Sequence, residues 1–205
     1  LLYGQTRKED VLDAILPRDL FLGIGVTDCL KIYEKRFKRA QKCWAHFLRT
    51  AIRLMLDCPQ SREYKAFLKE LFTIFRDGRA AQQDATLTEA QREEKALVLQ
   101  SRITALCTRA GEKMPKTAKK ERREFINLQK RLIRNIDDLF TFVLIPQVEA
   151  TNNRAERGFR KTAKARNNYQ TSKTKKGADR RSVIASILTS LQQTLAVYTL
   201  QSITE

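Results

Sequence analysis

Thr151-Asn152-Asn153-Arg154-Ala155-Glu156-Arg157-Gly158-Phe159-Arg160-Lys161 is the stretch from which the rest of the chain is read. It follows an apolar run, Leu139 to Val148, and opens a new helical pattern. Asn152 and Asn153 suit a helix N-cap, because a side-chain amide oxygen accepts the unpaired backbone N–H groups of the first turn. On that helix Asn152, Glu156 and Arg160 fall on roughly one face. Two readings fit the glutamate. In Asn153-Arg154-Ala155-Glu156 it completes a capping box and only returns a hydrogen bond to the cap. Alternatively, one carboxylate among cations at a helix start holds a metal ion beside a phosphate.

Charge narrows the classes of partner. The chain has 205 residues, with Lys+Arg 40 against Asp+Glu 23 and a net charge of +17. Such an excess repels itself in the folded state, and a polyanion relieves it through counterion release, so nucleic acid is the expected partner. A hydrophobic fraction of 42% supports a real core. No run reaches the roughly 18 apolar residues that a membrane span needs. The chain begins Leu-Leu without a methionine, which is expected of a fragment or a processed form. Cys29, Cys43, Cys58 and Cys107 lack zinc-finger or disulfide-framework spacing, so reduced thiols are expected. Seven glycines and four prolines favour helix.

Taken in order, Thr6 to Leu16 predicts a short helix capped at Thr6 and stopped by Pro17. Leu20 to Thr27 is an apolar run suited to a buried strand that ends at Asp28. A carboxylate at a strand tip is both a frequent catalytic placement and a frequent strand terminator. Cys29 to Phe37 begins another helix or a strand-to-helix turn. Gln41 to Leu56 predicts a helix with Trp44, Phe47, Leu48, Ala51, Ile52 and Met55 along its apolar stripe and Arg49 and Arg53 outside. Ser61 to Phe75 repeats the period, and Asp77-Gly78 reads as a turn. Thr88 to Ala110 is a third helix, with Gly111 as its stop signal. Thr117 to Phe142 is a fourth. A helix follows from Thr151 to about Lys164, then a basic loop from Asn167 to Gly177. Ala178 to about Leu200 closes the chain, with Val183, Ile184, Ile187, Leu188, Leu191, Leu195 and Tyr198 on one face.

Three segments carry a family resemblance: Val26-Thr27-Asp28 with Tyr33, Lys42-Cys43-Trp44-Ala45-His46-Phe47-Leu48-Arg49, and Asn152-Asn153-Arg154-Ala155-Glu156-Arg157-Gly158-Phe159-Arg160. Their order, the helical stretch between the second and third, and the later Lys176-Gly177-Ala178 resemble the C-terminal part of an IS66-type transposase. The resemblance covers nearly the whole chain. It implies a mainly α protein with a small α/β element: a partial RNase H-like core interrupted by a helical-bundle insertion. Residues 1–40 would hold part of that core, 41–145 the insertion, and 146–205 the C-terminal core helices.

The same resemblance implies a DDE triad in which Asp28 is the second aspartate and Glu156 the glutamate. Both would ligate divalent ions, Mg²⁺ or Mn²⁺, for cleavage and joining of DNA at transposon ends. The first aspartate has no match, since Asp10, Asp13 and Asp19 stand too close to Asp28. This chain by itself is therefore expected to be inactive in cleavage. The alternative is a non-catalytic, basic helical DNA-binding module derived from a transposase.

Arg154, Arg157, Arg160 and Lys161, with Lys173, Lys175 and Lys176 behind them, are the expected DNA-backbone contacts, against the alternative of a solvated basic face. Cys43 and His46 are three residues apart, half of a zinc site at most, and read first as site-supporting together with Asn152 and Asn153. DNA ends and target are the implied partners, with homodimer pairing and helper proteins; no membrane is involved, and the implied location is the bacterial cytoplasm at the nucleoid.

Overall fold

The computed structural model describes residue 13, residues 21–29, residue 33, and residues 36–112, 119–157 and 174–194, with backbone alone for 181 and 188–194. It divides into two units. One comprises Leu16–Arg154, and the other Leu1–Ile15 with Ala155–Glu205.

The larger unit is mainly helical with a two-stranded parallel sheet. Strand β1, Ile24–Thr27, pairs with β2, Arg39–Lys42, in a register that sets Thr27 opposite Lys42. The sequence predicted a longer first strand. Leu22 is instead 84% exposed, and pairing begins only at Ile24. Asp28 follows the strand directly, as expected.

The second strand is a correction, because Gln41 and Lys42 had been assigned to the helix expected from Gln41 and no strand was expected here. Its sequence, Arg-Ala-Gln-Lys, carries no strand signature, yet Ala40, Gln41 and Lys42 are all buried. The Gln41 side chain explains how. Its amide nitrogen donates to the carbonyls of Lys42 (2.7 Å) and Leu139 (3.0 Å), and its oxygen accepts the Phe142 N–H (2.9 Å). A polar side chain satisfied on both sides tolerates burial. The Thr141 hydroxyl adds a 2.6 Å bond to the Ala40 carbonyl.

Helix α1, Trp44–Asp57, begins after a single intervening residue, Cys43. It buries Trp44, Phe47, Leu48, Ala51 and Leu54. The stripe therefore runs through Leu54; Ile52 is 40% exposed and Met55 half-buried. Helix α2, Arg62–Gln83, is capped by the Ser61 side chain, which accepts the Tyr64 N–H. It passes straight through Asp77-Gly78, where a turn was expected. Gly78 is there for packing: a Cβ would stand 2.9 Å from Cζ of the buried Phe142.

Helix α3, Glu89–Leu106, starts at a complete capping box between Thr88 and Gln91 and stops at Cys107, four residues before Gly111. Helix α4, Lys120–Arg134, ends earlier than predicted. The Asn135 side chain donates to the Arg131 carbonyl at 2.6 Å and competes with helix continuation. A 3₁₀ turn, Ile136–Asp138, and the short helix α5, Thr141–Leu144, follow. Helices α1 to α4 share one core with Leu139, Phe140, Phe142 and Val143, and Ile24 and Val26 of β1 pack against it. Trp44 is part of that core, with Phe75 and Phe140 rings at 5.2 and 5.4 Å.

In the smaller unit, helix α6 spans Lys175–Thr194. Lys175, Lys176 and Gly177 thus lie in a first helical turn, where a loop had been expected. The Thr174 hydroxyl caps this turn by accepting the Gly177 N–H at 3.1 Å. Val183, Ile184 and Ile187 are exposed on α6, while Ala178 and Ser182 are buried. Asp13 is helical; the remainder of the expected Thr6–Leu16 helix, residues 158–173 and the end of the closing helix lie outside the described residues.

Candidate functional site at the strand tips

The tips of the two parallel strands meet the start of α1 and the beginning of the Asn-Asn stretch. The Thr27 carbonyl, one residue before Asp28, accepts the Cys43 N–H at 2.8 Å. The Trp44 N–H donates to the Ala150 carbonyl at 3.1 Å. The Cys43 thiol is fully buried, and its Sγ accepts the Asn152 N–H at 3.3 Å, joining residues 109 positions apart. Cys43 has extended backbone angles and stands between β2 and α1, so one residue links strand, helix and the Asn152 segment. The larger unit thus brings Thr27-Asp28, Cys43-Trp44 and Ala150–Asn152 together.

Two oxygens in this neighbourhood, Thr27 Oγ1 and Asn152 Oδ1, are buried without a hydrogen-bond partner among the described residues. Buried polar atoms left unsatisfied are rare enough that each needs a reason, and functional sites are one. Asp28 is half-buried beside them. These are hard oxygen donors, of the kind that suits Mg²⁺ rather than a soft metal.

The other candidates separate clearly. His46 is half-buried in the first turn of α1, with its N–H on the Cys43 carbonyl and its carbonyl accepting the Thr50 hydroxyl. Cys43 gives its sulfur to Asn152. Among the described residues no three His, Cys, Asp or Glu side chains are grouped to hold a metal. All four cysteines are free. Burial pushes the Cys107 thiol up to about 12. Burial also raises Cys29, against the lowering fields of Arg131 and Lys42.

Residues 153–157 are helical, and Asn153, Arg154, Glu156 and Arg157 are exposed. The Arg154 side chain is 84% exposed, and its nearest carboxylate, Glu149, stands at 3.7 Å. Asp28 and Arg154 belong to the larger unit and Glu156 and Arg157 to the smaller. Lys175 and Lys176 are exposed at the start of α6. Arg160, Lys161 and Lys173 lie outside the described residues.

Two cations near Asp28 escaped the sequence reading. Lys42 is buried opposite Thr27, with Nζ 4.0 Å from Asp138. Burial holds the Asp138 carboxyl above its ordinary range, with Lys42 pulling the other way. Arg131 of α4 lies over the Phe47 ring at 5.4 Å, and its field acts on Cys29. Lys42 directly precedes the Cys-Trp pair and was within reach of the reading. Arg131 sits in a helix crowded with cations, and nothing local marks it out.

The order of the motif segments and the net charge of +17 are those expected of the transposase class. The chain belongs to the IS66 transposase family, whose model matches residues 1–180. No curated protein and no solved structure matches it. Among the described residues no helix is long and apolar enough to cross a membrane.

Proposed function

We propose that this chain carries part of the catalytic centre of a DNA transposase that cuts and joins strands at transposon ends, on an RNase H-like core. Asp28 and Glu156 are its assigned metal ligands. The observation that carries this reading is the Asn152 N–H on Cys43 Sγ. It ties the segment leading into Glu156 to the segment against which the Asp28 strand ends, and both belong to motifs of the family.

The roles of the residues follow from their chemistry. Asp28 and Glu156 offer carboxylate oxygens to Mg²⁺ or Mn²⁺, and the orphaned Thr27 and Asn152 oxygens support an oxygen-rich setting. When bound, such ions supply charge stabilisation for an in-line displacement at a phosphodiester. Cys43 holds the Asn152 backbone, and His46 sits one turn behind. Arg154, Arg157, Lys175 and Lys176 are exposed cations, and their proposed role is to neutralise DNA phosphates. Terminal-repeat DNA and target DNA are the proposed partners, with paired ends held by a homodimer.

The test is cleavage of transposon-end DNA by the transposase carrying these residues, with Asp28→Asn and Glu156→Gln. Each substitution should abolish Mg²⁺-dependent cleavage while leaving DNA affinity near that of the parent. Undiminished cleavage by either variant would overturn the assignment of that ligand. Salt-sensitive DNA binding with cleavage indifferent to both would favour the non-catalytic, basic DNA-binding module.

A further inference from the structure

We propose that Arg131, contributed by helix α4, is a DNA phosphate-contacting residue of the Asp28 site. This inference rests on the reading that the tip of β1 faces DNA. Arg131 is only half-exposed, and its guanidinium rests against an aromatic ring. It lies 5.4 Å from the centroid of the Phe47 ring, and its field acts on Cys29, the residue after Asp28. Phe47 is fully buried, so the surface under the guanidinium is fixed. An aromatic face attracts a cation and orients its plane without consuming its charge.

The partners of three other half-buried arginines in the bundle make the contrast. Arg102 pairs with Glu70 at 2.7 Å and Asp77 at 2.6 Å. Arg109 pairs with Glu63 and Glu112, and Arg122 pairs with the same two carboxylates. Among the described residues Arg131 has a ring where each of these has two carboxylates. Its Nε is buried and has no hydrogen-bond partner among the described residues. Withdrawing a guanidinium from water without a counter-charge is costly, and a phosphate oxygen removes that cost. The planar fork of arginine suits such an anion better than an ammonium does. Thr27 Oγ1 and Asn152 Oδ1, the two orphaned oxygens near the strand tips, have lone pairs to offer a cation. Arg131 serves the anion that such a cation would accompany.

The experiment measures binding of this chain to a mixed-sequence DNA duplex across a range of salt concentrations. Arg131→Gln and Arg131→Leu are compared with Arg76→Gln, an exposed cation on α2. Leucine packs on the Phe47 ring, so at least one neutral variant retains the fold, checked by circular dichroism. Loss of one phosphate contact should lower the slope of log affinity against log salt by about 0.9. Affinity should fall several-fold, and Arg76→Gln should keep the parental slope. In the unsubstituted chain, DNA should slow modification of Arg131 by phenylglyoxal and leave Arg76 unprotected. A parental slope in a folded Arg131 variant, or Arg131 modified equally with and without DNA, overturns the proposal. Because this assay reads binding alone, Arg131 fails or stands separately from the cleavage test of Asp28 and Glu156.

Discussion

Replacing Cys43 by alanine removes a single sulfur from a fully buried position, and three separate segments should feel it. The Asn152 N–H loses its acceptor, and an amide left unsatisfied in a part-buried position costs about 1–3 kcal/mol. A thiol is a weak acceptor, so the lower half of that range applies. The space left by the sulfur adds about 1 kcal/mol, on the scale of deleting one buried methyl group. The expected destabilisation is thus about 2 kcal/mol by urea denaturation. The more telling readout is amide hydrogen exchange, because local opening is reported residue by residue. The Asn152 amide should exchange about 10-fold faster, or more, in Cys43→Ala. Amides in the middle of α2 should change only by the global loss of stability. Cys43→Ser, which keeps an acceptor, should fall between the two. If Asn152 exchange stays within about twofold of the parent in Cys43→Ala, the thiol does not hold that segment, and the proposed coupling of the motifs loses its physical basis.

Other substitutions test the bundle. Gly78→Ala gains about 0.5–1 kcal/mol of helix propensity but drives a methyl group to 2.9 Å from Phe142, an overpacking cost of about 1–3 kcal/mol. A net loss of up to about 2 kcal/mol is expected by urea denaturation, and a stabilised variant would show that Phe142 gives way freely. Glu112 is held below its ordinary value of 4.5, first by its hydrogen bond from Arg109 and then by the fields of Arg109 and Arg122. A depressed folded value means that its contribution is present above 4.5 and lost as pH falls through the folded value. Glu112→Gln should therefore melt below the parent at neutral pH and converge with it in acid. Equal melting temperatures at neutral pH would show that the arginine cluster is indifferent to this carboxylate.

What the sequence made legible was what depends on local period and local caps. The helix beginning at Thr88 was readable because Thr88 and Gln91 satisfy each other within four residues. Asp28 at the end of a strand was readable because Ile24–Thr27 is an apolar run with an acid after it. What stayed hidden depends on partners far along the chain. Gln41-Lys42 reads as a helix start, and only the Gln41 bonds to Leu139 and Phe142 explain why it is a buried strand end. Asp77-Gly78 has turn chemistry, and only Phe142 explains a glycine in mid-helix. At the candidate site, the motif residues could be named from their order. The thiol-to-amide contact and the placement of Arg131 could not, since neither has a local signature.

The one-residue joint at Cys43 has a mechanical consequence. The strand pair has no flexible hinge separating it from the first long helix. Gln41 from the strand side and Trp44 from the helix side both fasten to the same Leu139 carbonyl, at 3.0 and 2.7 Å. Trimming the helices away as a removable cassette would strip the sheet of its clamp. A side-chain change deep among α1 to α4 will be transmitted to the acid-bearing tip as a shift in aim, not absorbed along the way.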